Sequence, residues 1–504
     1  MTVYNINQGI GWASSGVEYA QLYRSQVFQR IGVDAKFVFT DFISNENIEH
    51  FTAQMGFQDD QVIWLYTYFT DFKTAPTTFT VDDLLKAFRK APVEQKQSAN
   101  TQKFYFNDGT WATAYFKRDS DQIVDRVEYV SGNNLIRKDF YSYGRYMTEY
   151  YAPKDNAARL YLRRFYNVDG SIAYDEIVNP GQASMFKFKD QIIDSKAELI
   201  SHFMRSLHLT ADDVVLIDRA TGQAQQILEN KGSAKVGTIV HADHFSEPNT
   251  NDNTILWNNY YEYEFQHYQD IDFYVTATDA QNQLLQAQFA KYNQVHPKIY
   301  TIPVGNLPEL KTPTASGRRP YSLVTASRLA SEKHVDWITR AVAKAHAVFP
   351  EITLDIYGTG GEQSNIQKAI DQTNSGDYVS LKGHQDMTDQ YRDYDVYVAA
   401  STSEGFGLTL MEAVGSGLAM VGFDVRYGNQ TFIDNNQNGI LIPYTLNQSA
   451  QVSIDQLGDA LIKLFQEPNF DRFHERSYEI AGEYLTERIG QRWIQLLTEV
   501  SAHD

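Results

Sequence analysis

Cysteine is absent from all 504 residues of the sequence. Disulfide frameworks, thiolate catalysis and cysteine-ligated zinc are therefore excluded, and the composition fits a reducing compartment. Long apolar runs are missing too, since none approaches the roughly 20 residues that a membrane-spanning helix needs. The first residues lack the basic and apolar segments of a secretory signal, so we expect no signal peptide.

Positive charge is scarce. The chain carries 44 Lys and Arg against 63 Asp and Glu, a formal net charge of −19. Proteins that bind nucleic acid usually present a basic surface that neutralises phosphates, so we expect no nucleic-acid partner. Neither a Walker A sequence nor an H-E-x-x-H sequence occurs, which argues against a P-loop and against a zincin-type metal site.

The chain does contain two regions in which strands alternate with helices. The opening "TVYNI" predicts a strand, "NQGIGWASS" a loop, and "SGVEYAQLYRSQVFQRIG" a helix with a Ser15–Glu18 capping box and a stop at Gly32. Six further strands are predicted in the second region: "YSLVTAS", "TLDIYG", "YVSLKG", "DVYVAAS", "AMVGFDV" and "GILIP". Strands at this spacing favour parallel, doubly wound sheets.

Between about residues 103 and 189 the pattern is short, aromatic and alternating. Turn sequences such as Asn107-Asp108-Gly109 and Asp169-Gly170 separate its strands, which predicts an inserted antiparallel β-meander. One face of the meander should pack. The other should be partly open and carry the tyrosines of "FYSYGRYMTEYY" with Arg137, Lys138 and Arg145.

The predicted fold class is α/β, with two Rossmann-like doubly wound domains that face a cleft and an inserted antiparallel β-meander domain. Ligands bind at the carboxyl ends of the strands in such sheets. The predicted ranges are 1–75 and 196–305 for the N-terminal Rossmann-like domain, 76–195 for the meander, 306–483 for the C-terminal nucleotide-sugar-binding domain, and 484–504 for a helix that packs back on the N-terminal domain.

The stretch "SEGFGLTLMEA" carries two acids, Glu404 in a glycine loop and Glu412 in the helix that follows. Glycines let the backbone approach a ligand, and the first amides of a helix attract phosphate. The two acids can therefore contact separate parts of one elongated ligand. Taken alone, they are equally an acid that the helix dipole favours and a solvated helical glutamate.

Other strand-end loops carry further polar groups. Arg328 and Lys333 in "TASRLASEKHVDW" suit a diphosphate, although ordinary surface charge gives the same pattern. His241 and His244 in "HADHFSE" suit a sugar hydroxyl or a phosphate, with a structural histidine as the alternative for at least one of them. The turns "YGTGGE" and "KGHQD" could reach a nucleotide base.

Together these residues resemble the retaining GT-B glycosyltransferases of family 4. The resemblance implies that Arg328 and Lys333 hold the diphosphate of a donor, that Glu404 lies by the donor sugar and that Glu412 holds the ribose. It implies no cofactor and no metal site. The rest of the implied site comprises His241 and His244 as catalytic residues beside Glu404, Gly16, Gly407, Leu408 and Thr409 at the diphosphate, Gly405 and Phe406 at the sugar, and Gly383 and His384 at the base.

The resemblance extends over nearly the whole chain to the GtfA-type catalytic subunits of the accessory-Sec O-GlcNAc transferases. It is carried by "NINQGIGWASSGVEYAQLYRSQVF", by the meander and by "HADHFSE…ILWNNYYEYEF". It implies transfer of N-acetylglucosamine from UDP-GlcNAc to serine and threonine of a serine-rich repeat adhesin. A catalytically silent GtfB-like paralogue would be the partner in a hetero-oligomer. The resemblance also implies a cytoplasmic protein with at most peripheral contact at the inner face of the membrane.

Two other interpretations stay open on the motifs alone. A related enzyme could use another donor such as UDP-glucose, or a polyol-phosphate acceptor as in teichoic acid glycosylation. A non-catalytic partner subunit could use the same scaffold, although such a paralogue would be expected to lack parts of the glutamate pair, and Glu404 and Glu412 are both present here.

Overall fold

A computed structural model describes most of the chain. The described residues are 1–11, 15–44, 46–155, 157–179, 181–219 and 221–501. They divide into two compact units. The first unit comprises Met1–Ser25, Gly32–Thr238 and Asn259–Asp272, and the second comprises Gln26–Ile31, Ile239–Asn258 and Phe273–Asp504.

The chain opens with the predicted strand, helix and strand, which are β1 (Thr2–Asn7), α1 (Gly16–Ile31) and β2 (Asp34–Phe39). The Glu18 carboxylate accepts the Ser15 backbone N–H at 2.6 Å, and Gly32 follows the helix with a φ of 74°. Residues 12–14 of the predicted glycine and serine loop lie outside the described residues. The next elements are α2 (Ile48–Met55), β3 (Val62–Trp64), α3 (Leu65–Tyr68) and α4 (Val81–Ala87).

An antiparallel sheet of ten strands follows, which confirms the predicted meander. Each strand pairs with the next one along the chain, from the first to the last. The strands are β4 (Glu94–Gln97), β5 (Thr101–Tyr105), β6 (Trp111–Phe116), β7 (Val124–Ser131), β8 (Asn134–Tyr141), β9 (Arg145–Lys154), β10 (Ala157–Tyr166), β11 (Ile172–Ile177), β12 (Met185–Lys187) and β13 (Ile192–Ile193).

A row of alternating charges crosses the centre of this sheet from β7 to β11. Glu128, Lys138, Glu149, Arg163 and Glu176 are successive cross-strand neighbours. The Lys138 ammonium lies 3.1 Å from Glu128, and the Arg163 guanidinium lies 2.9 Å from Glu149 and 3.0 Å from Glu176. A slip by one residue would move each charge to the opposite face, so the row specifies the register.

The tyrosines of "FYSYGRYMTEYY" were predicted to lie on the open face of the meander. This prediction is wrong for Tyr141 and Tyr146, each only 3% exposed. The Tyr146 ring packs edge-on against Trp64 and Phe72, which precede the sheet in the chain. The N-terminal segment therefore covers this part of the sheet. The prediction holds for Tyr143 between β8 and β9, which is 37% exposed, and Tyr161 within β10 is 47% exposed.

After the meander the chain resumes its α/β alternation. Strand β14 pairs in parallel with β1, so the first unit contains a parallel sheet of order β15-β14-β1-β2-β3 into which the meander is inserted, while β16 and β17 form a parallel pair in the second unit. The elements are α5 (Lys196–Ser206), β14 (Val214–Ile217), α6 (Ala224–Glu229), β15 (Lys235–Val240), α7 (Glu262–Gln266), β16 (Phe273–Thr276), α8 (Asp279–Gln288) and β17 (Ile299–Thr301).

A second parallel sheet forms the core of the second unit, and its six strands lie where they were predicted. Their order is β20-β19-β18-β21-β22-β23, and helices α9 and α13 contribute Ile338, Val342, Leu457 and Leu461 to the apolar core. The elements are β18 (Ser322–Ala326), α9 (Val335–His346), β19 (Thr353–Tyr357), α10 (Gln363–Thr373), β20 (Val379–Gly383), β21 (Val396–Ala399), α11 (Leu408–Gly415), β22 (Ala419–Phe423), α12 (Gly428–Phe432), β23 (Gly439–Ile442) and α13 (Ala450–Phe465).

Two helices close the chain, α14 (Asp471–Ala481) and α15 (Thr486–Ser501). Helix α15 buries Ile489, Trp493 and Leu497 on one face, and the Trp493 ring packs edge-on against Phe28 at 5.1 Å. None of the helices in the described ranges is long and apolar enough to cross a bilayer. The domain boundaries given above stay predictions.

Candidate active site

The predicted site residues of the second unit surround the point where its strand order reverses. Strands β18 and β21 are neighbours although two strands lie between them in the chain. Loops that leave the carboxyl ends of strands on either side of such a reversal diverge and leave room for a ligand. The loop after β18 carries Arg328 and Lys333, and the loop after β21 carries Glu404.

Lys333 and Glu404 meet directly. The Lys333 Nζ lies 2.5 Å from Glu404 Oε2, and both side chains are more than four-fifths buried. Arg328 is 69% exposed and lies 3.6 Å from Glu332. The structure therefore joins Lys333 to Glu404, which the sequence had not paired, and leaves the Arg328 guanidinium at the surface of the same loop.

A small polar pocket contains this ion pair. Thr325, Ser327, Tyr397 and Thr409 line it together with Lys333 and Glu404. The Tyr397 hydroxyl lies 2.8 Å from Thr409 Oγ1 and 3.0 Å from the Ala326 carbonyl. Burial raises the pKa of Tyr397, and the carboxylates of Glu404 and Glu412 raise it further. The phenol is therefore neutral at physiological pH, and both acids lie close enough to act on it.

Sequence reasoning missed Ser327 and Tyr397. The Ser327 hydroxyl is buried and has no hydrogen-bond partner among the described residues. Buried hydroxyls are nearly always paired, so an unpaired one in a pocket is available to a ligand. Ser327 directly follows β18, and this position at the carboxyl end of a strand was the available signal for it, whereas Tyr397 lies within β21 and carries no such signal.

The loop from Gly405 to Thr409 shows why the glycines stand where they do. Gly407 has a φ of 85° and precedes helix α11 without a side-chain cap. A Cβ at Gly405 would lie 2.6 Å from the His241 carbonyl oxygen. Leu408 and Thr409 begin the helix, while the Phe406 ring is buried against Phe432, so only the Phe406 backbone can face a donor.

The two histidines of "HADHFSE" differ in their surroundings. His241 is half-buried, and its carbonyl packs on Gly405. His244 is fully buried, and its Nε2 lies 2.6 Å from Gln288 Oε1. Burial lowers the pKa of His244 to about 4, so this imidazole is neutral at physiological pH. His241 is thus the better placed of the two to meet a donor.

The remaining predicted residues occupy other parts of the fold. Glu412 is half-buried within α11. Gly383 ends β20 with a φ of 69°, and His384 after it is exposed. Both lie at the carboxyl ends of the strands, as Arg328 does. Gly16 is the exposed first residue of α1 in the first unit, directly after the loop that contains residues 12–14.

Comparisons with known proteins agree with this geometry. Two family profiles match: the GtfA extended beta-sheet domain over residues 94–190, and glycosyl transferases group 1 over residues 320–467. The GtfA subunit of a UDP-N-acetylglucosamine–peptide N-acetylglucosaminyltransferase from Streptococcus gordonii is 50% identical over 501 residues, which are 99% of each chain.

Two solved structures extend the similarity to three dimensions. The pneumococcal O-GlcNAc transferase GtfA, in complex with UDP and GlcNAc, is 48% identical with a TM-score of 0.95, over 100% of this chain and 99% of that one. A GtfA/B complex contains a chain that is 49% identical with a TM-score of 0.95 over the full length of both. The predicted GT-B fold class is confirmed.

Proposed function

Because the chain belongs to the family of GtfA subunits of UDP-N-acetylglucosamine–peptide N-acetylglucosaminyltransferases, we propose that it transfers N-acetylglucosamine from UDP-GlcNAc to serine and threonine hydroxyls of a serine-rich adhesin polypeptide. The observation that carries this proposal is the Lys333–Glu404 pair in the pocket at the strand-order reversal. A non-catalytic subunit would have no need of an acid and a cation held together in a polar pocket.

In this proposal the diphosphate of the donor binds near Lys333. Fixed positive charge stabilises a leaving diphosphate because negative charge develops on the diphosphate during the reaction. Lys333 is already oriented by Glu404, and the exposed Arg328 can turn toward the phosphates with its planar fork. The backbone amides at the start of α11 add a partial positive charge at the same place.

The sugar and the nucleoside would lie on either side of that diphosphate. Glu404 and the backbone of Gly405 and Phe406 face the sugar, and Glu412 in α11 accepts hydrogen bonds from the ribose. Gly383 and His384, at the same edge of the sheet, contact the base. The Ser327 hydroxyl is an additional partner for the phosphates or the ribose.

The proposed chemistry retains the anomeric configuration. The bond between the anomeric carbon and the diphosphate oxygen breaks as a bond to the acceptor oxygen forms on the same face. The acceptor proton passes to the departing diphosphate. Lys333 and Arg328 supply the charge that a metal ion would otherwise supply, so we propose that no metal is needed.

A GtfB-type subunit is the proposed partner, since a structure of a GtfA/B complex contains a chain 49% identical to this one. We also propose a cytoplasmic location with at most peripheral contact at the inner face of the membrane, because nucleotide sugars are made in the cytoplasm. Fractionation of cells into soluble and membrane fractions, with and without the partner, tests this location.

One assay separates the proposed function from its alternatives. The complex with the GtfB-type partner is incubated with UDP-GlcNAc, UDP-glucose or UDP-galactose and with a serine-rich peptide or a polyol-phosphate oligomer, in excess EDTA. Mass spectrometry should show GlcNAc on the peptide alone. Modification only of the polyol phosphate, or transfer only of glucose, would reject the assignment. Loss of activity in EDTA that Mg²⁺ restores would reject metal independence.

A further inference from the structure

The backbone of Glu404 is anchored at a single short segment, residues 426–428. The Glu404 carbonyl accepts the N–H groups of Tyr427 at 2.7 Å and Gly428 at 3.0 Å. The Glu404 N–H donates to the Arg426 carbonyl at 3.3 Å. These three hydrogen bonds form an isolated parallel bridge outside the main sheet, so the position of Glu404 depends on the position of Tyr427.

Tyr427 is in turn held by buried side chains. Its ring is fully buried and lies nearly parallel to the His244 ring, with the planes 19° apart. Its hydroxyl lies 3.4 Å from His244 Nδ1, and His244 Nε2 lies 2.6 Å from Gln288 Oε1. The three residues are far apart in the chain and bring together the loop after β15, the end of α8 and the start of α12.

Two acceptors face the Tyr427 hydroxyl, His244 Nδ1 at 3.4 Å and the Asp243 carboxylate. The Gln288 amide oxygen accepts the Nε2–H of His244, which leaves Nδ1 of the neutral ring as an acceptor. Burial and the Asp243 carboxylate raise the pKa of Tyr427, so the phenol keeps its proton. Each polar atom of the two rings is satisfied at physiological pH.

The backbone around Glu404 and Tyr427 is closely packed. A Cβ at Gly428 would lie 2.2 Å from the Phe406 carbonyl oxygen, and Ser403 Oγ donates to Asp243 Oδ2 at 3.3 Å. The loop that carries Glu404 is therefore enclosed between the loop after β15 and the start of α12. A displacement of Tyr427 must displace Glu404 with it.

We propose that His244 and Tyr427 are positioning residues: His244 fixes the Tyr427 side chain, and the Tyr427 backbone fixes Glu404 against Lys333. His244 then has no contact with the donor, in contrast to the catalytic role expected from the sequence. The proposal deepens the proposed function and rests on it for its kinetic consequences, while its structural consequence can be measured without any reaction.

The test compares Tyr427→Phe, His244→Phe and the double variant with the wild-type complex. Tyr427→Phe removes one oxygen and keeps the ring, so it is the variant most certain to fold. A misplaced catalytic group costs about 100-fold in rate. We expect kcat to fall about 100-fold in each variant, with the donor KM and the UDP affinity within about twofold.

The double variant should be no slower than the slower single variant, because both substitutions break one chain of contacts. Loss of kcat in His244→Phe with normal kcat in Tyr427→Phe would overturn the proposal in favour of a direct role for His244. A lower melting temperature with normal kcat in both would show a role in stability alone and would also overturn it.

Hydrogen exchange supplies the readout that needs no activity. The amides of Glu404, Tyr427 and Gly428 are protected by the bridge, so peptides covering 400–408 and 424–430 should exchange at least about tenfold faster in Tyr427→Phe. Peptides from β18 to β20 should be unchanged. Unchanged exchange at the bridge overturns the proposal. Faster exchange in a protein whose wild type transfers no sugar rejects the proposed function and leaves the positioning role standing.

Discussion

The Lys333 ammonium is held in place by a carboxylate before any ligand arrives. It is 18% exposed and lies 2.5 Å from Glu404, so it loses little side-chain freedom on binding an anion. The opposite charges of Lys333 and Glu404 also offset each other, which lowers the free-energy cost of burying them without a ligand. A diphosphate that approaches this pair meets a cation already aimed into the pocket.

Lys333→Ala should weaken UDP binding. A lost charge-assisted hydrogen bond costs ~1.5–3 kcal/mol, which corresponds to about 10- to 150-fold in Kd. The Glu404 carboxylate would then face the diphosphate without its partner, which adds repulsion. Titration calorimetry with UDP measures the change, and Lys368→Ala, an exposed lysine of the same unit, is the control. Equal UDP affinity in both variants would show that Lys333 does not hold the diphosphate.

Several site residues could be placed from the sequence alone because each follows a strand. Glu404 before α11 and Glu412 within it are confirmed in position, and their proposed roles stay predictions. The contact between Lys333 and Glu404 could not be predicted, since 71 residues separate them. The same holds for Tyr427 and His244, which are 183 residues apart, so the sequence could not show that His244 is a buried residue.

Among the elements, the junction between α2 and strand β7 contains an unusual cluster of buried ionisable groups. His50 Nε2 lies 3.5 Å from Asp125 Oδ1 and 4.0 Å from Glu49 Oε2, and Nδ1 lies 3.5 Å from Glu46. Burial, followed by the charge of Glu46, raises the pKa of Asp125 to about 7. Burial and the charge of Lys117 lower the pKa of His50.

Asp125→Asn should make the stability of the protein less dependent on pH. Above about pH 4 the unfolded chain loses the proton of Asp125, while the folded state keeps it up to about pH 7. The free energy of unfolding of the wild type therefore falls as pH rises from about 4 to about 7. The variant should melt higher than the wild type at pH 8, and the difference should be smaller at pH 5.

Scanning calorimetry at both pH values measures the difference, and Asp121→Asn, an exposed acid in the loop between β6 and β7, serves as the control. A variant that is less stable than the wild type at pH 8 would show that the ionised carboxylate stabilises the junction. The raised pKa would then not describe this group.

The elements themselves were predicted with uneven success. The six strands of the second parallel sheet were correct because buried parallel strands form continuous apolar runs between polar loops. The antiparallel meander was correct because its turns carry Asn, Asp and Gly. The predicted exposure of Tyr141 and Tyr146 was wrong. Alternation of side chains along a strand shows which residues share a face of the sheet, and it does not show which chain segment covers that face.

For the whole molecule, the exposed apolar side chains of the meander are the candidates for contact with a partner. Ile136 is 40% exposed, Tyr161 47% and Ile172 53%, and such side chains anchor interfaces. Tyr161→Glu and Ile136→Glu should each weaken association with the GtfB-type subunit at least about tenfold while UDP affinity is unchanged.

Size-exclusion chromatography with light scattering measures the association. Val452→Glu, which alters an apolar residue 46% exposed in the second unit, is the matched control. Normal complex formation by both meander variants would move the partner surface elsewhere.

Retaining transfer of GlcNAc to serine and threonine, through the pocket that contains Glu404, is the proposed reaction of the whole molecule. The most direct measurement is the product of the wild-type complex with UDP-GlcNAc and a serine-rich peptide, analysed by mass spectrometry and by NMR of the anomeric carbon, beside Glu404→Gln and the surface control Glu351→Gln. We predict α-linked GlcNAc from the wild type and from Glu351→Gln. Glu404→Gln should give no product although it still folds and binds UDP. A β-linked product, or near wild-type turnover by Glu404→Gln, would contradict the account.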